Sequence, residues 1–375
     1  MSEEKTCRFR AALELLQPAF LAGFTFPHWI RILHENRWEI DAQYLPRAAV
    51  ATLGTIATSC LKPFEPTAEL DEYCEKLWRR PLFILGLPRS GTTHLFNLLA
   101  RDPQFAYPTR LECYNPHTFL LLRRLGLHRV LGMVREKKRF MDNVKTSWLS
   151  PEEDTIALSV LSGGGSRLIG VFTRNSNYRM FFGPAGQMRE SHIQQFCDSL
   201  SAFSKKLVFL HRARPLFKSP MHTRHIAEIL EIFPDATFLT ILRNPFSQFA
   251  SLKAMHHSAS RGWSALQKRG PISDEERLKW VSSMLQCYLD TRSLIPRGRL
   301  CEIHYDDLVR DQEACLRKVY SALDLGQPPS PGNAEAEKSY RKNSHPELCH
   351  ALKAKIRAAY RPFVEAGLFD PAQFS

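Results

Sequence analysis

The sequence lacks several features that are typical of membrane and secreted proteins. It has no uninterrupted run of about 18 apolar residues, which a transmembrane helix requires. The N-terminal stretch MSEEKTCRFR has mixed charge and contains no apolar segment of a secretory signal. The nine cysteines are scattered and form no C-x-x-C pair, so they do not indicate a disulfide framework. These absences predict a protein of a reducing, cytoplasmic compartment.

The chain is basic, which narrows the ligands that it is expected to bind. It has 375 residues, of which 51 are lysine or arginine and 38 are aspartate or glutamate, for a formal net charge of +13. This balance favours anionic ligands, nucleic acid or an anionic membrane surface. No compact tract of lysine and arginine and no nucleic-acid motif occurs, so we predict no nucleic-acid partner.

One stretch, PLFILGLPRSGTTHLFNLL over residues 81–99, has the order strand, glycine loop, helix. The loop, residues 86–93, lets successive backbone N–H groups converge on a phosphate, and the N-terminus of the helix adds positive potential. It departs from the nucleotide-triphosphatase pattern G-x-x-x-x-G-K-[ST], because Thr92 stands where the lysine is needed. Arg89 supplies a cation within the loop instead. The stretch therefore predicts a phosphate cradle and argues against ATP or GTP chemistry.

Two further segments end a predicted strand at a residue suited to an anionic ligand. In RPLFKSP, residues 214–220, Lys218 ends a short strand and Ser219 caps the helix that follows. In TFLTILRNP, residues 237–245, an apolar strand leads to Arg243, whose planar guanidinium binds phosphate oxygens in pairs. Active-site residues of open α/β sheets collect at strand ends, so we expect these side chains near the loop.

The pattern of strands and helices predicts an α/β fold, with a P-loop-like parallel sheet flanked by helices and an N-terminal helical extension. We divide the chain into a helical extension packing on the core (1–80), a catalytic domain (81–325) and a C-terminal linker and helical tail (326–375). The uncharged segment Ala48–Leu61 is too short to span a bilayer, and a buried helix is the favoured prediction. The alternative is a helix that admits an amphiphilic acceptor or touches a membrane.

The three motifs, in this order, resemble those of the sulfotransferases. L-P-R-S-G-T-T after a strand resembles their 5′-phosphosulfate loop, with the arginine of the bacterial and tyrosylprotein branches. K-S-P resembles both K-[TS]-H and K-D-P, and R-N-P followed by Ser251 resembles R-[DN]-P with its serine. The resemblance spans about Pro81 to Val309. It implies transfer of a sulfuryl group from 3′-phosphoadenylyl sulfate (PAPS) to a hydroxyl or amine, without a metal, leaving 3′-phosphoadenosine 5′-phosphate (PAP).

The resemblance also implies roles for individual residues. Arg89 and Lys218 neutralise charge on the leaving phosphate and the transferring group, and Arg243 with Ser251 holds the 3′-phosphate. Tyr305 stands at the end of a predicted strand, where it either supports the nucleotide or packs in the core. The predicted PAPS-binding residues are Arg89, Ser90, Gly91, Thr92, Thr93, Arg243, Ser251 and Tyr305.

Two residues compete for the role of the general base, which takes the proton of the acceptor. Glu112 is the only carboxylate of the segment 106–116, where the tyrosylprotein branch carries its glutamate, slightly nearer the loop. His222 lies two residues beyond the basic histidine of the cytosolic branch. We favour Glu112, because the loop arginine and the proline of K-S-P resemble the glutamate-using branch. Glu153 and Asp154, interpreted as part of the acidic opening of a helix, are the next candidates.

Two other functions stay open at this point. A P-loop nucleotide kinase-like enzyme would share the loop, and a non-catalytic nucleotide-binding protein need not retain Lys218 and Arg243. The pair His222-x-x-His225 alone is too weak a pattern to predict a metal site. The acceptor is a small molecule, a carbohydrate or a lipid-like compound, and peripheral membrane contact through the N-terminal helices is an alternative to a wholly cytoplasmic location.

Overall fold

A computed structural model describes residues 16–67, 70, 78–133, 137–138, 145–175, 190–258, 264–268, 270–329 and 346–374. The strands in this part of the chain are β1 (Leu82–Leu85), β2 (Phe105–Ala106), β3 (Lys137–Lys138), β4 (Lys145–Thr146), β5 (Arg214–Lys218), β6 (Thr237–Leu242) and β7 (Leu300–His304). A five-stranded parallel sheet has the order β2-β5-β1-β6-β7, while β3 and β4 pair in antiparallel fashion.

Helices surround the sheet, and short 3₁₀ segments connect several of them. The described α-helices are α1 (Phe26–Glu35), α2 (Leu45–Leu61), α3 (Thr92–Leu99), α4 (Arg110–Tyr114), α5 (Phe119–Arg124), α6 (Leu127–Gly132), α7 (Thr155–Ser162), α8 (Glu190–His211), α9 (Ile226–Ile232), α10 (Pro245–Ser258), α11 (Asp274–Arg292), α12 (Tyr305–Arg310), α13 (Gln312–Ala322) and α14 (His350–Glu365).

The central strand β1 is buried on both faces, as its uninterrupted apolar sequence predicts for a parallel sheet. Successive strand residues point to opposite faces. Phe83 therefore packs in a cluster with Trp29 of α1, while Ile84 packs in a second cluster with Leu95 of α3 and Val319 of α13. The predicted fold, a parallel sheet covered by helices on both faces, is confirmed.

The sheet register places the ends of three strands at one edge. Ile84 of β1 is aligned with Lys218 of β5, and Leu85 of β1 is aligned with Thr240 of β6. All three strands run in the same direction, so the loop after β1, Lys218 and the residue after β6 lie at the same edge. This edge is where ligands bind in open α/β sheets.

Helix α2 differs from its prediction in one respect. Ala48, Ala51 and Thr55 are buried, but Leu53 and Ile56 on the other side of the helix are 68% and 42% exposed. The prediction of burial is therefore right for one face and wrong for the other, because each turn of the helix places some of these residues against the protein and others toward solvent. Of the described helices, none is both long and apolar enough to cross a bilayer.

The proposed division into three parts stays a prediction. Parts of the N-terminal extension and of the C-terminal tail lie outside the described residues. In the described portion, Phe24 and Trp29 of the extension and Tyr360 of the tail share one hydrophobic cluster with Phe83 of the sheet.

Candidate active site

The loop between β1 and α3 is held in a defined conformation by two side chains that follow β6. Arg89 has a φ of 70° and Gly91 a φ of 104°, in the left-handed region that non-glycine residues rarely adopt. Arg243 donates a hydrogen bond to the carbonyl of Arg89 at 2.9 Å. Gln248 donates one to the carbonyl of Pro88 at 2.6 Å. These bonds fix the loop in a strained conformation of the kind that is found at ligand sites.

Tyr305 packs directly against this loop. A methyl group on Gly91 would lie 2.4 Å from Cδ2 of Tyr305, so the ring occupies the space that a side chain at Gly91 would need. The guanidinium of Arg243 lies 4.5 Å from the centroid of the same ring, within the range of a cation–π contact. The ring therefore supports both the loop and Arg243 and is itself part of the core.

Three of the predicted donor-binding residues form one cluster. Arg89 Nε donates to Ser251 Oγ at 3.0 Å, and Arg243 is bonded to the backbone of Arg89. Ser90 Oγ is buried and has no hydrogen-bond partner among the described residues, which is unusual for a buried hydroxyl. Two guanidinium groups, hydroxyls and the first amides of α3 are donors that suit a phosphorylated ligand.

Lys218 contacts the loop at Thr93. Its side chain is 2% exposed, and Nζ contacts Glu153 Oε1 at 2.8 Å and Thr93 Oγ1 at 3.3 Å. The second contact places the ammonium group against the first turn of α3. The structure thus brings Lys218 and the phosphate loop together, as the motif order predicts.

Glu153 joins two cations. One oxygen accepts from Lys218, and the other is paired with Arg167. Burial on its own would raise the pKa of Glu153, but the charges and hydrogen bonds of the two cations outweigh it and hold the pKa well below its usual range. Its side chain is 21% exposed, so this carboxylate is accessible from solvent while it touches Lys218.

Asp154 and His222 form a buried pair beneath Lys218. Asp154 Oδ2 lies 2.6 Å from His222 Nε2, and both side chains are fully buried. The other oxygen of Asp154 accepts the backbone N–H of Lys218 at 3.2 Å. The structure thus places His222 where it orients Asp154 and the end of β5. Helix α7 begins at Thr155 with Asp154 at its N-cap position, so the prediction that Glu153 lies in the first turn of the helix is wrong.

Glu112 occupies a different environment. One oxygen accepts the backbone N–H of Thr109 at 2.8 Å, which caps α4. The other lies 2.6 Å from Arg123 and 3.2 Å from His211. Burial raises the pKa of Glu112, but the bonds to His211 and Thr109 and the charge of Arg123 bring it below its ordinary value. In the described part of the chain, none of its hydrogen bonds or ion pairs reaches Lys218 or the loop.

Arg167 and Gln248 were not predicted from the sequence, and Glu153 and Asp154 were only the next candidates for the general base after Glu112 and His222. A lone arginine or glutamine carries no motif, and the three adjacent acids were the only signal that pointed here. A small cavity of about 50 Å³ begins at Thr155, which accepts a hydrogen bond from Arg167, and its lining combines apolar side chains such as Leu158 and Phe196 with polar ones such as His192. No group of three or more His, Cys, Asp and Glu side chains is arranged to hold a metal ion within the described ranges.

A glycine loop between a parallel strand and a helix, with two arginines and a buried lysine paired with a glutamate beside it, is typical of α/β transferases. The model of the Sulfotransferase family matches residues 81–329, and the chain belongs to this family. It is therefore a sulfotransferase, as the three motifs predict.

Relatives and solved structures agree with this assignment. The chain is 30% identical over 309 residues to omega-hydroxy-beta-dihydromenaquinone-9 sulfotransferase Stf3 of Mycobacterium bovis, which covers 81% of this chain and 78% of the relative. The Stf3 protein of Mycobacterium tuberculosis gives the same values.

The crystal structure of sulfotransferase STF9 from Mycobacterium avium has a TM-score of 0.59 at 16% identity, covering 93% of this chain and 97% of the other. That of STF1 from Mycobacterium tuberculosis has a TM-score of 0.55 at 15% identity, covering 91% and 92%. At these identities the two structures support the fold.

Proposed function

We propose that this protein transfers a sulfuryl group from PAPS to a hydroxyl of a lipid-like acceptor, in the cytoplasm at the membrane surface and without a metal. The observation that carries the proposal is the position of Lys218, whose ammonium contacts both Thr93 of the phosphate loop and Glu153. A lysine there faces the phosphate-binding loop on one side and a carboxylate on the other. A P-loop kinase is disfavoured, because Thr92 replaces the lysine that such enzymes need.

The donor site consists of the loop and the Arg89–Arg243–Ser251 cluster. PAPS supplies an activated sulfuryl group and two phosphates, and the residues present fit such a ligand. Ser90, Gly91, Thr92 and Thr93 offer hydroxyls and amides to the 5′-phosphosulfate, while Arg243 and Ser251 bind the 3′-phosphate. Arg89 is bonded to Ser251 at 3.0 Å, so it links the two phosphate positions.

Lys218 and Glu153 carry the chemistry in this proposal. The bond from sulfur to the 5′-phosphate oxygen breaks as the acceptor oxygen bonds to sulfur, and Glu153 takes the acceptor proton. Lys218 stabilises the negative charge that develops between the two oxygens. We favour Glu153 over Glu112, because Glu112 is fully buried and occupied by Thr109, Arg123 and His211.

His222 is a positioning residue in this account. Its Nε2 is bonded to Asp154, its side chain is fully buried, and its ring packs edge-on against Phe83 at 5.2 Å. A proton acceptor must reach the acceptor hydroxyl directly or through one water. His222 acts instead through Asp154, which holds the backbone of Lys218.

The acceptor class rests on two observations. The relative Stf3 is named for a hydroxylated menaquinone, a long apolar molecule with a terminal hydroxyl. In this chain, Leu158, Phe196 and Met221 contribute apolar surface to a small cavity of about 50 Å³. Thr155 also lines this cavity and is bonded to Arg167, the second partner of Glu153, so a cavity of this size could receive the hydroxylated end of such a molecule near the charged site.

Incubation with ³⁵S-labelled PAPS tests the proposal. Label is expected in an ω-hydroxylated isoprenoid quinone and in a short-chain alcohol of the same end group, with PAP released in equal amount. Parallel reactions with γ-labelled ATP and GTP are expected to transfer nothing. Phosphate transfer from ATP, or binding of PAP without any transfer to the alcohols or to a cell extract, would contradict the proposed reaction.

A further inference from the structure

Helix α2 presents a continuous apolar face to solvent. Leu53 is 68% exposed and Ile56 42%, and Phe64, three residues beyond the helix, is 70% exposed. These positions recur at helical spacing, opposite the buried Ala51 and Thr55. Between residues 46 and 64 the sequence has no acidic residue. Large side chains are normally exposed singly, so a row of them on one helix marks a contact surface.

A second segment has the same character. Over α5 and α6, Leu125, Val130 and Met133 are 60%, 57% and 77% exposed. The sequence from residue 117 to 133 again contains no acidic residue, and it includes the exposed Arg124 and Arg129. Exposed apolar side chains with arginines among them are typical of helices that lie in the interface of a lipid bilayer.

The two segments meet at Glu65. Its carboxylate accepts the backbone N–H groups of Leu120 at 3.2 Å and Leu121 at 2.9 Å, at the start of α5. Lys206 Nζ pairs with the same carboxylate at 2.6 Å and holds it in place. Because Phe64 directly precedes Glu65, the exposed end of α2 lies next to the beginning of α5. We call the exposed side chains of these two segments, Leu53, Ile56, Phe64, Leu125, Val130 and Met133, the apolar rim.

We infer that the apolar rim docks on the surface of an anionic lipid bilayer. Its apolar side chains would enter the headgroup region, and Arg124, Arg129 and Lys62 would meet lipid phosphates or carboxylates. The net charge of +13 favours the same surface at longer range. A second copy of the chain is a poorer partner, because a two-fold contact would bring together Arg124 and Arg129 beside the rim, with no acidic residue in either segment to offset them.

The rim is connected to the active site through two ion pairs. Arg123 of α5 pairs with Glu112 of α4, and Arg110 at the start of α4 pairs with Glu152 at 3.0 Å. Glu152 precedes the proposed base Glu153. These ion pairs therefore connect the helix that would dock on the bilayer to the segment that carries Glu153. The inference rests on the proposed function only for the lipid-like nature of the acceptor.

Co-sedimentation of the full chain with vesicles tests the inference. Vesicles of phosphatidylcholine with phosphatidylglycerol are expected to bind the protein, those of phosphatidylcholine alone to bind it less, and added salt to weaken both. Leu53→Glu and Val130→Glu are each expected to lower the bound fraction about fivefold or more, because each places a negative charge at an anionic surface.

Leu294→Glu and Val309→Glu are matched controls, because these residues are 54% and 56% exposed but lie outside the rim. They are expected to bind vesicles as the unmodified protein does. Equal sedimentation of rim and control variants would overturn the inference. So would a rim variant that changes the molar mass in light scattering without changing vesicle binding, which would make the rim a contact between copies. Sulfation of the short-chain alcohol is read separately, so its failure would count against the proposed function alone.

Discussion

Glu153 is the residue on which the proposed chemistry depends most. It is a carboxylate paired with two cations, Lys218 and Arg167, and it keeps part of its surface open to solvent. Glu112 is also paired with a cation, but it is completely enclosed and caps a helix. Two glutamates of similar charge pairing therefore have different proposed roles, because only one of them touches the lysine beside the phosphate loop.

Replacing these glutamates by glutamine separates the two roles. Glu153→Gln is expected to lower kcat by about two to four orders of magnitude, because the amide keeps the shape but accepts no proton. Glu112→Gln is expected to retain most activity and to lose about 1–3 kcal/mol of unfolding free energy, as charged hydrogen bonds to Arg123 and His211 weaken. Turnover assays and thermal unfolding measure both effects.

Glu152→Gln is the control for the first variant, because Glu152 is adjacent but pairs with Arg110 instead of Lys218. It is expected to turn over at a rate close to that of the unmodified protein. Full activity of Glu153→Gln together with an inactive Glu112→Gln would reverse the assignment.

The pH dependence of kcat/KM reports on the same residue. A general base works in its deprotonated form, and the cations hold the pKa of Glu153 below the ordinary value of 4.5. The base therefore stays ionised as the pH falls, and kcat/KM is expected to remain level from about pH 8 to about pH 5. A base with the pKa of an ordinary imidazole, near about 6.5, would instead lose rate within this range. Activity on a water-soluble alcohol across this range distinguishes the two.

At the scale of secondary structure, the strands and their ends were predictable from the sequence. β6 has the predicted bounds, β1 begins one residue after its predicted start, and β5 ends at Lys218 as predicted. Short apolar runs bounded by glycine, proline or charged residues leave few alternatives for where a strand begins and ends. Parallel pairing then brings Lys218 and the loop to one edge. The contacts of the segment before α7 were not predictable, because adjacent acidic residues are also common at the start of a helix. Only the fold places Glu153 and Asp154 against Lys218.

The exposed face of α2 was likewise not predictable from the sequence. An apolar run of this length is usually buried, and every residue of it fits that interpretation. Only the packing of Ala22 against Gly54, and of Trp29 against Thr52, shows which side of the helix faces the protein. Leu53 and Ile56 lie on the other side, and no local pattern distinguishes them from core residues.

The loop that joins β1 to α3 can be tested at Gly91. Gly91→Ala adds a methyl group 2.4 Å from the ring of Tyr305 at a φ of 104°, so the loop or the ring must move. We expect a loss of about 2–4 kcal/mol of unfolding free energy and about tenfold or more of PAP affinity. Thermal unfolding and calorimetric titration with PAP measure these losses.

Gly298→Ala is the matched control, because Gly298 has a φ of 79° and no atom lies within 4 Å of an added methyl group. It reports the conformational cost alone, about 1–2 kcal/mol, with unchanged PAP affinity. Equal effects of the two variants on PAP binding would show that the contact of Gly91 with Tyr305 does not shape the donor site.

For the molecule as a whole, the donor is expected to stabilise the fold. In the proposed donor site, PAP would bridge the loop after β1 and the Arg243–Ser251 end of β6 and α10, so at a hundredfold excess over its Kd it should add about 2.7 kcal/mol of stability. AMP, which lacks the 3′-phosphate, should raise Tm far less. Arg243→Ala is expected to weaken PAP binding by about 1.5–3 kcal/mol and to bring the PAP shift close to that of AMP. Equal shifts of Tm with PAP and AMP in the unmodified protein would contradict the assignment of Arg243 and Ser251 to the 3′-phosphate.

We propose that sulfuryl transfer takes place at Lys218, between the loop and Glu153. The most direct measurement is the rate of PAP formation from PAPS, with a hydroxyl acceptor present, for the unmodified protein and for Lys218→Ala, together with the Kd of PAP for each. We expect kcat to fall by about two orders of magnitude or more in Lys218→Ala. The Kd should change much less than it does in Arg89→Ala, whose guanidinium lies in the proposed donor site. A Lys218→Ala protein that turns over normally while binding PAP would contradict the claim.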